Sequence, residues 1–140
     1  MVDIDVTYEG GLRCSSTHGP SSAALSTDAP VDNHGKGESF SPTDLVATGL
    51  ATCIATTMGI RARKSERELE GMRVHVKKIM TREGPRRIAE LDVAVTVPAP
   101  VAARFDAEAR AELEHVANTC PVRLSLLDAI VVPVAFDWQK

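Results

Sequence analysis

One uncharged stretch constrains this chain more than any other. In SPTDLVATGLATCIATTMGIRARK, Ser41 to Lys64, every position from Leu45 to Ile60 is apolar or small and uncharged. Ser41 can cap a helix, Pro42 suits the first helical position, and Asp44 stands three residues after Ser41 in a capping-box-like arrangement. The stretch predicts one long helix. A helix uncharged all round is expected to be buried all round, and Ala47, Gly49, Ala51, Ala55 and Gly59 imply close approach by neighbouring backbones. The run is shorter than the roughly 18 residues of a membrane span and is rich in Thr and Gly, so a core helix is expected.

Cys53 lies at the middle of that helix, which places it deep in a core. Two readings stand side by side. A lone buried cysteine ordinarily behaves as a small hydrophobe. A reactive cysteine must be a thiolate, and little near Cys53 in the sequence favours the charged form. It sits well past Pro42, about 16 Å along the axis at about 1.5 Å per residue, whereas the helix dipole acts only in the first turn. A reactive Cys53 therefore requires a cation from elsewhere in the chain.

The chain has 140 residues, 44% apolar and 25% charged, with a net charge of −3. One globular domain over residues 1–140 is expected, large enough for a real core. The mild negative charge and the lack of a long basic run argue against nucleic acid or an anionic membrane as partner. Three cysteines, Cys14, Cys53 and Cys120, do not suit a disulfide-stapled secreted domain. The N-terminal MVDIDVTYEG lacks the pattern of a signal peptide, so a reducing cytoplasm is the expected setting. No His or Cys pair shows metal-ligand spacing, and neither a metal nor another cofactor is expected.

Val2, Ile4, Val6 and Tyr8 alternate with polar residues as in a strand. Turns at Glu9-Gly10-Gly11 and His18-Gly19-Pro20 then predict two further strands, Leu12–Thr17 and Ser22–Thr27. Asp28–Phe40 reads as a loop delivering the chain to the long helix, which Gly71 is expected to close. Met72–Met80 and Ile88–Val97 alternate and form a hairpin, with Leu91, Val93, Val95 and Val97 on one face. Phe105–Thr119 predicts a second helix with Asp106 as N-cap. VRLSLLDA predicts a short third, and Ile130–Phe136 a last strand in which Pro133 suggests an edge or bulge. The order implies an α+β fold with a largely antiparallel sheet.

Cys120 ends the second helix just before Pro121, and nothing in its distance from Cys53 proves that the two meet. SPTDLVATGLATC, followed much later by NTCPV, resembles the OsmC/Ohr family of hydroperoxide reductases, and the likeness covers nearly the whole chain. It implies an OsmC-like fold, with antiparallel sheets around a long central helix, in an intertwined homodimer with active sites at the subunit interface. It also implies a mechanism. The Cys53 thiolate would attack an organic hydroperoxide or hydrogen peroxide, Cys120 would resolve the sulfenic acid as a disulfide, and an external dithiol would restore the enzyme. The required cation would be an arginine of the N-terminal strands, and Arg13 is the only arginine before Cys53. Arginine suits the role because it stays charged when buried and can bond two acceptors. The family pattern puts a glutamate ten residues before the cysteine. Thr43 stands there in this chain, Asp44 points away from Cys53, and Glu38 is the expected replacement for holding Arg13. The missing glutamate also leaves open a non-catalytic, redox-sensing or small-ligand-binding dimer on the same fold. Cys14, on the opposite strand face from Arg13, is expected to be structural.

Overall fold

The computed structural model describes residues 1–140. Its elements run β1 (Ile4–Gly10), β2 (Arg13–His18), β3 (Ala24–Asp28), α1 (Pro42–Arg63), β4 (Arg73–Met80), β5 (Ile88–Val97), α2 (Ala99–Ala102), α3 (Ala107–Asn118), α4 (Pro121–Ser125) and β6 (Val134–Trp138). They fall into two compact units, Met1–Val46 and Ala47–Lys140. The fold is α+β, with two three-stranded sheets and one long helix.

The first unit is the expected meander: β1 pairs β2, and β2 pairs β3, both antiparallel. Gly10 and Gly11 take positive φ in the turn between β1 and β2, where a side chain would be strained. After β3 the loop 29–40 folds back on the strand. Asp28 N–H donates to the Phe40 carbonyl, and the Ser39 hydroxyl donates to the Ser26 carbonyl. Gly35 is required in that loop, since a Cβ there would lie 1.7 Å from the Ala29 carbonyl oxygen. The capping box forms as the sequence implies: the Asp44 carboxylate accepts from Ser41 N–H, and Ser41 Oγ accepts from Asp44 N–H.

The second unit carries the main core. Leu50, Ile54 and Met58 of α1 cluster with Leu91, Val93, Val95 and Val97 of β5, all at most 1% exposed. The alternation expected of β5 is thus met at every one of its four positions. In β4 strict alternation puts Val74, Val76 and Met80 on the core side and leaves Ile79 at the surface. β6 runs parallel to β5, reached by the crossover through α2, α3 and α4.

The structure corrects several expectations. α1 is buried on one face only: Val46, Thr52, Thr56 and Ile60 are exposed. Lack of charge concealed this amphipathicity, because Thr and Gly look core-like in composition. Cys53 is accordingly half-buried rather than deep. By length and composition α1 would pass for a membrane-crossing helix, yet its Leu50, Ile54 and Met58 are core residues here. The helix ends at Arg63, and Glu66 supplies the left-handed residue expected of Gly71. After β5, Pro98 is the N-cap of the short α2 and Pro100 lies in its first turn. Pro133 splits the last strand: Val131 makes an isolated bridge to Glu90 before it, and regular pairing starts after it. Asp106 does cap α3, accepting from Ala109 N–H at 2.9 Å.

The core position of α1 is testable. Leu50, fully buried, should cost roughly 2–5 kcal/mol when cut to Ala, through lost transfer energy and a cavity. Urea unfolding should read this as a lower midpoint at unchanged slope.

Candidate active site

Two clusters contain the residues singled out by sequence, one in each unit. The second unit brings Cys53 and Cys120 together. Cys53 stands one position before Ile54, about 100° around the helix from it, at the border between the buried and exposed faces. Its Sγ is 4.0 Å from Thr57 Oγ1, one turn on. Cys120 follows α3 and is the N-cap of α4, with extended backbone (φ −66, ψ 151). Pro121 disfavours a helical conformation for the residue before it, so α3 stops and the thiol is turned inward, fully buried.

The Cys120 thiol lies beside that of Cys53, near enough for the two to interact, and both cysteines are free. Burial pushes the Cys120 thiol above its ordinary range, and the neighbouring Cys53 adds to this; the backbone N–H groups of Arg123 and Val122 oppose it. Cys120 is therefore a protonated thiol at neutral pH, beside a cysteine that solvent can reach. The pair can form a disulfide without a third residue.

The first unit brings Arg13 and Glu38 together, as the sequence implied. Arg13 Nη2 donates to Glu38 Oε2 at 2.5 Å. It also adds a residue that sequence reading missed. Asp28 lies across from Arg13 in the β2–β3 register, with its Oδ2 3.7 Å from Nη2. The Asp28 side chain is shielded from solvent, whereas Arg13 and Glu38 are 41% and 56% exposed. Asp28 Oδ2 accepts from Glu38 N–H at 3.0 Å, and Oδ1 has no hydrogen-bond partner. One arginine thus faces two carboxylates. The available signal for Asp28 was the meander itself, whose pairing sets the end of β3 opposite the start of β2. Cys14, next to Arg13, pairs with Thr27 and is half-buried.

The Asp28 carboxyl is held below the usual carboxylate range. The Glu38 N–H is the largest cause and Arg13 contributes, against the opposing effect of burial. A depressed carboxyl stabilises the fold fully above its unfolded value, about 3.9, and this contribution is lost as pH falls through the lower folded value. Asp28→Asn should therefore flatten the acid limb of the stability curve below about pH 4, read as urea midpoint against pH; an unchanged limb would contradict the assignment.

A family model of OsmC-like proteins matches residues 35–135. No curated protein matches the sequence. Among solved structures, a Psychrobacter arcticus protein named for osmotic stress induction and a detoxification response is 42% identical. It covers 97% of this chain and 96% of its own, with a TM-score of 0.88. The organic hydroperoxide resistance protein OsmC of Legionella pneumophila is 16% identical, covering 98% and 96%, with a TM-score of 0.72. OhrB of Bacillus subtilis, an organic hydroperoxide resistance protein, is also 16% identical, covering 98% of each chain, with a TM-score of 0.68. These last two likenesses are of fold. Family match and 42% identity over nearly the full length together establish that the chain belongs to the OsmC/Ohr family of OsmC-like proteins.

Proposed function

We propose that this protein is a cysteine-based peroxidase that reduces organic hydroperoxides, and hydrogen peroxide, in a reducing cytoplasm. The observation that carries the reading is the contact between a half-exposed Cys53 and a buried, protonated Cys120. In the first step the Cys53 thiolate attacks the distal peroxide oxygen and the O–O bond breaks. Cys53 becomes a sulfenic acid, and the alkoxide takes a proton and leaves as an alcohol. Cys120 then attacks the sulfenic sulfur; an S–S bond forms and the hydroxyl leaves with the Cys120 proton as water. The peroxide has gained the two electrons lost by the thiols. An external dithiol reduces the disulfide by exchange. Arg13, held by Glu38, is the cation proposed to favour the Cys53 thiolate and to polarise the peroxide. Relatives named for organic hydroperoxide resistance support the substrate class.

The working form is proposed to be a homodimer. The exposed face of α1 carries Val46, Thr52, Thr56 and Ile60 without a charge, an apolar patch of the kind that marks an interface. At Gly49 and Gly59 an added Cβ would meet nothing within 4 Å of this chain. Glycine inside a helix costs about 1 kcal/mol relative to alanine, and close approach by a second copy gives a reason for keeping it. Gly49→Leu should shift sedimentation from dimer to monomer; a monomeric native protein would refute this part.

Stopped-flow oxidation by cumene hydroperoxide, with thiols counted before and after, tests the chemistry. Two thiols should be lost per cycle, Cys53→Ser should abolish peroxide consumption, and Cys120→Ser should permit one oxidation but block recycling by dithiols. Retained turnover in Cys53→Ser would overturn the mechanism. Thr43, where the family pattern has glutamate, favours one second reading, a redox sensor on the same fold. A disulfide that forms in peroxide with negligible turnover would select it.

A further inference from the structure

We infer that Asp28 is the positioning residue for Arg13, fixing through one carboxylate both the guanidinium and the loop that carries Glu38. The inference rests on the proposed role of Arg13 in the thiol chemistry.

The two carboxylates at Arg13 differ in kind. Glu38 is 56% exposed at the side chain, so its ion pair is screened by water and its long side chain is costly to hold still. Asp28 is fully shielded, one bond shorter in reach, and set on a paired strand directly across from Arg13. A shielded carboxylate left without a counter-charge is strongly unfavourable, and Arg13 is the cation the structure puts beside it. The guanidinium is therefore retained next to Asp28 whether or not Glu38 is engaged.

The same oxygen also organises the loop. Oδ2 accepts the Glu38 N–H, and the Asp28 backbone N–H donates to Phe40. The loop between is folded on Ala29 through the Gly37 N–H, with no room for a side chain at Gly35. Asp28 thus sets where Glu38 starts as well as where Arg13 ends. Glu38 can exchange for an incoming oxygen ligand on Nη2 while Asp28 keeps the arginine in place. The Glu38 N–H and, after it, the Arg13 charge keep this group ionised against its burial.

Asp28→Asn separates the two duties, because the amide oxygen can still accept the Glu38 N–H but carries no charge. The readouts are the heteronuclear NOE of the Arg13 Nε–Hε group and kcat/KM for cumene hydroperoxide. In Asp28→Asn the NOE should fall toward values of a free side chain, and kcat/KM should drop about tenfold. In Glu38→Gln the NOE should fall less. An Arg13 as ordered in Asp28→Asn as in the native protein overturns the inference. Should Asp28→Asn not fold, the reciprocal measurement stands in. Arg13→Ala, a change at an exposed side chain, should raise the titration midpoint of the Asp28 carboxyl followed by its 13Cγ shift, and no movement overturns the inference. If Arg13→Ala leaves kcat/KM unchanged while Asp28→Asn still frees Arg13, the role of Arg13 in the chemistry fails and the positioning stands.

Discussion

The rotational setting of α1 is what the second unit depends on. Leu50, Ile54 and Met58 can share a core with the inner face of β5 in only one rotation of the helix. That rotation puts Cys53 at the edge of the buried face rather than within it. A thiol at the centre of the face would be sealed from solvent, and one on the far side could not meet Cys120. A few apolar side chains with no chemistry of their own therefore decide whether the cysteine is both reachable and paired. Their packing is dense enough that a change of one methylene would be felt.

The second cysteine is held by a different device. Pro121 stops one helix, starts another, and leaves Cys120 extended between them. Trp138 of β6, next to Phe105, donates to Glu114 of α3, which ties the last strand to the helix that delivers Cys120. Local stereochemistry and a tertiary lock act on the same few residues.

Much of this was legible in advance. The alternation in β5, the cap at Asp106 and the capping box at Ser41 are short-range signals, and they appear where the sequence implies. The Arg13–Glu38 pair was inferred from a family pattern and the scarcity of cations, and the two side chains do meet. What escaped was set at long range. The exposed face of α1 is invisible in composition, since Thr and Gly serve a core and an interface equally well. The parallel arrival of β6 depends on a crossover that no local pattern encodes. Asp28 looked like the first residue of a polar loop, because burial at a strand end depends on how the loop folds back over it.

The spacing of the thiol pair gives the oxidation state a mechanical meaning. Cys53 and Cys120 stand 67 positions apart, both inside the second unit. A bond between them would close a loop of that length, and chain-entropy arguments assign such a closure about 4 kcal/mol of stabilisation against unfolding. That is comparable to a large share of the total stability of an ordinary domain. The reduced, waiting form is then the softer one, and oxidation stiffens it. A proteolytic machine that samples transient openings would meet two different substrates in the two states, so the lifetime of the protein would follow the oxidation state of this thiol pair.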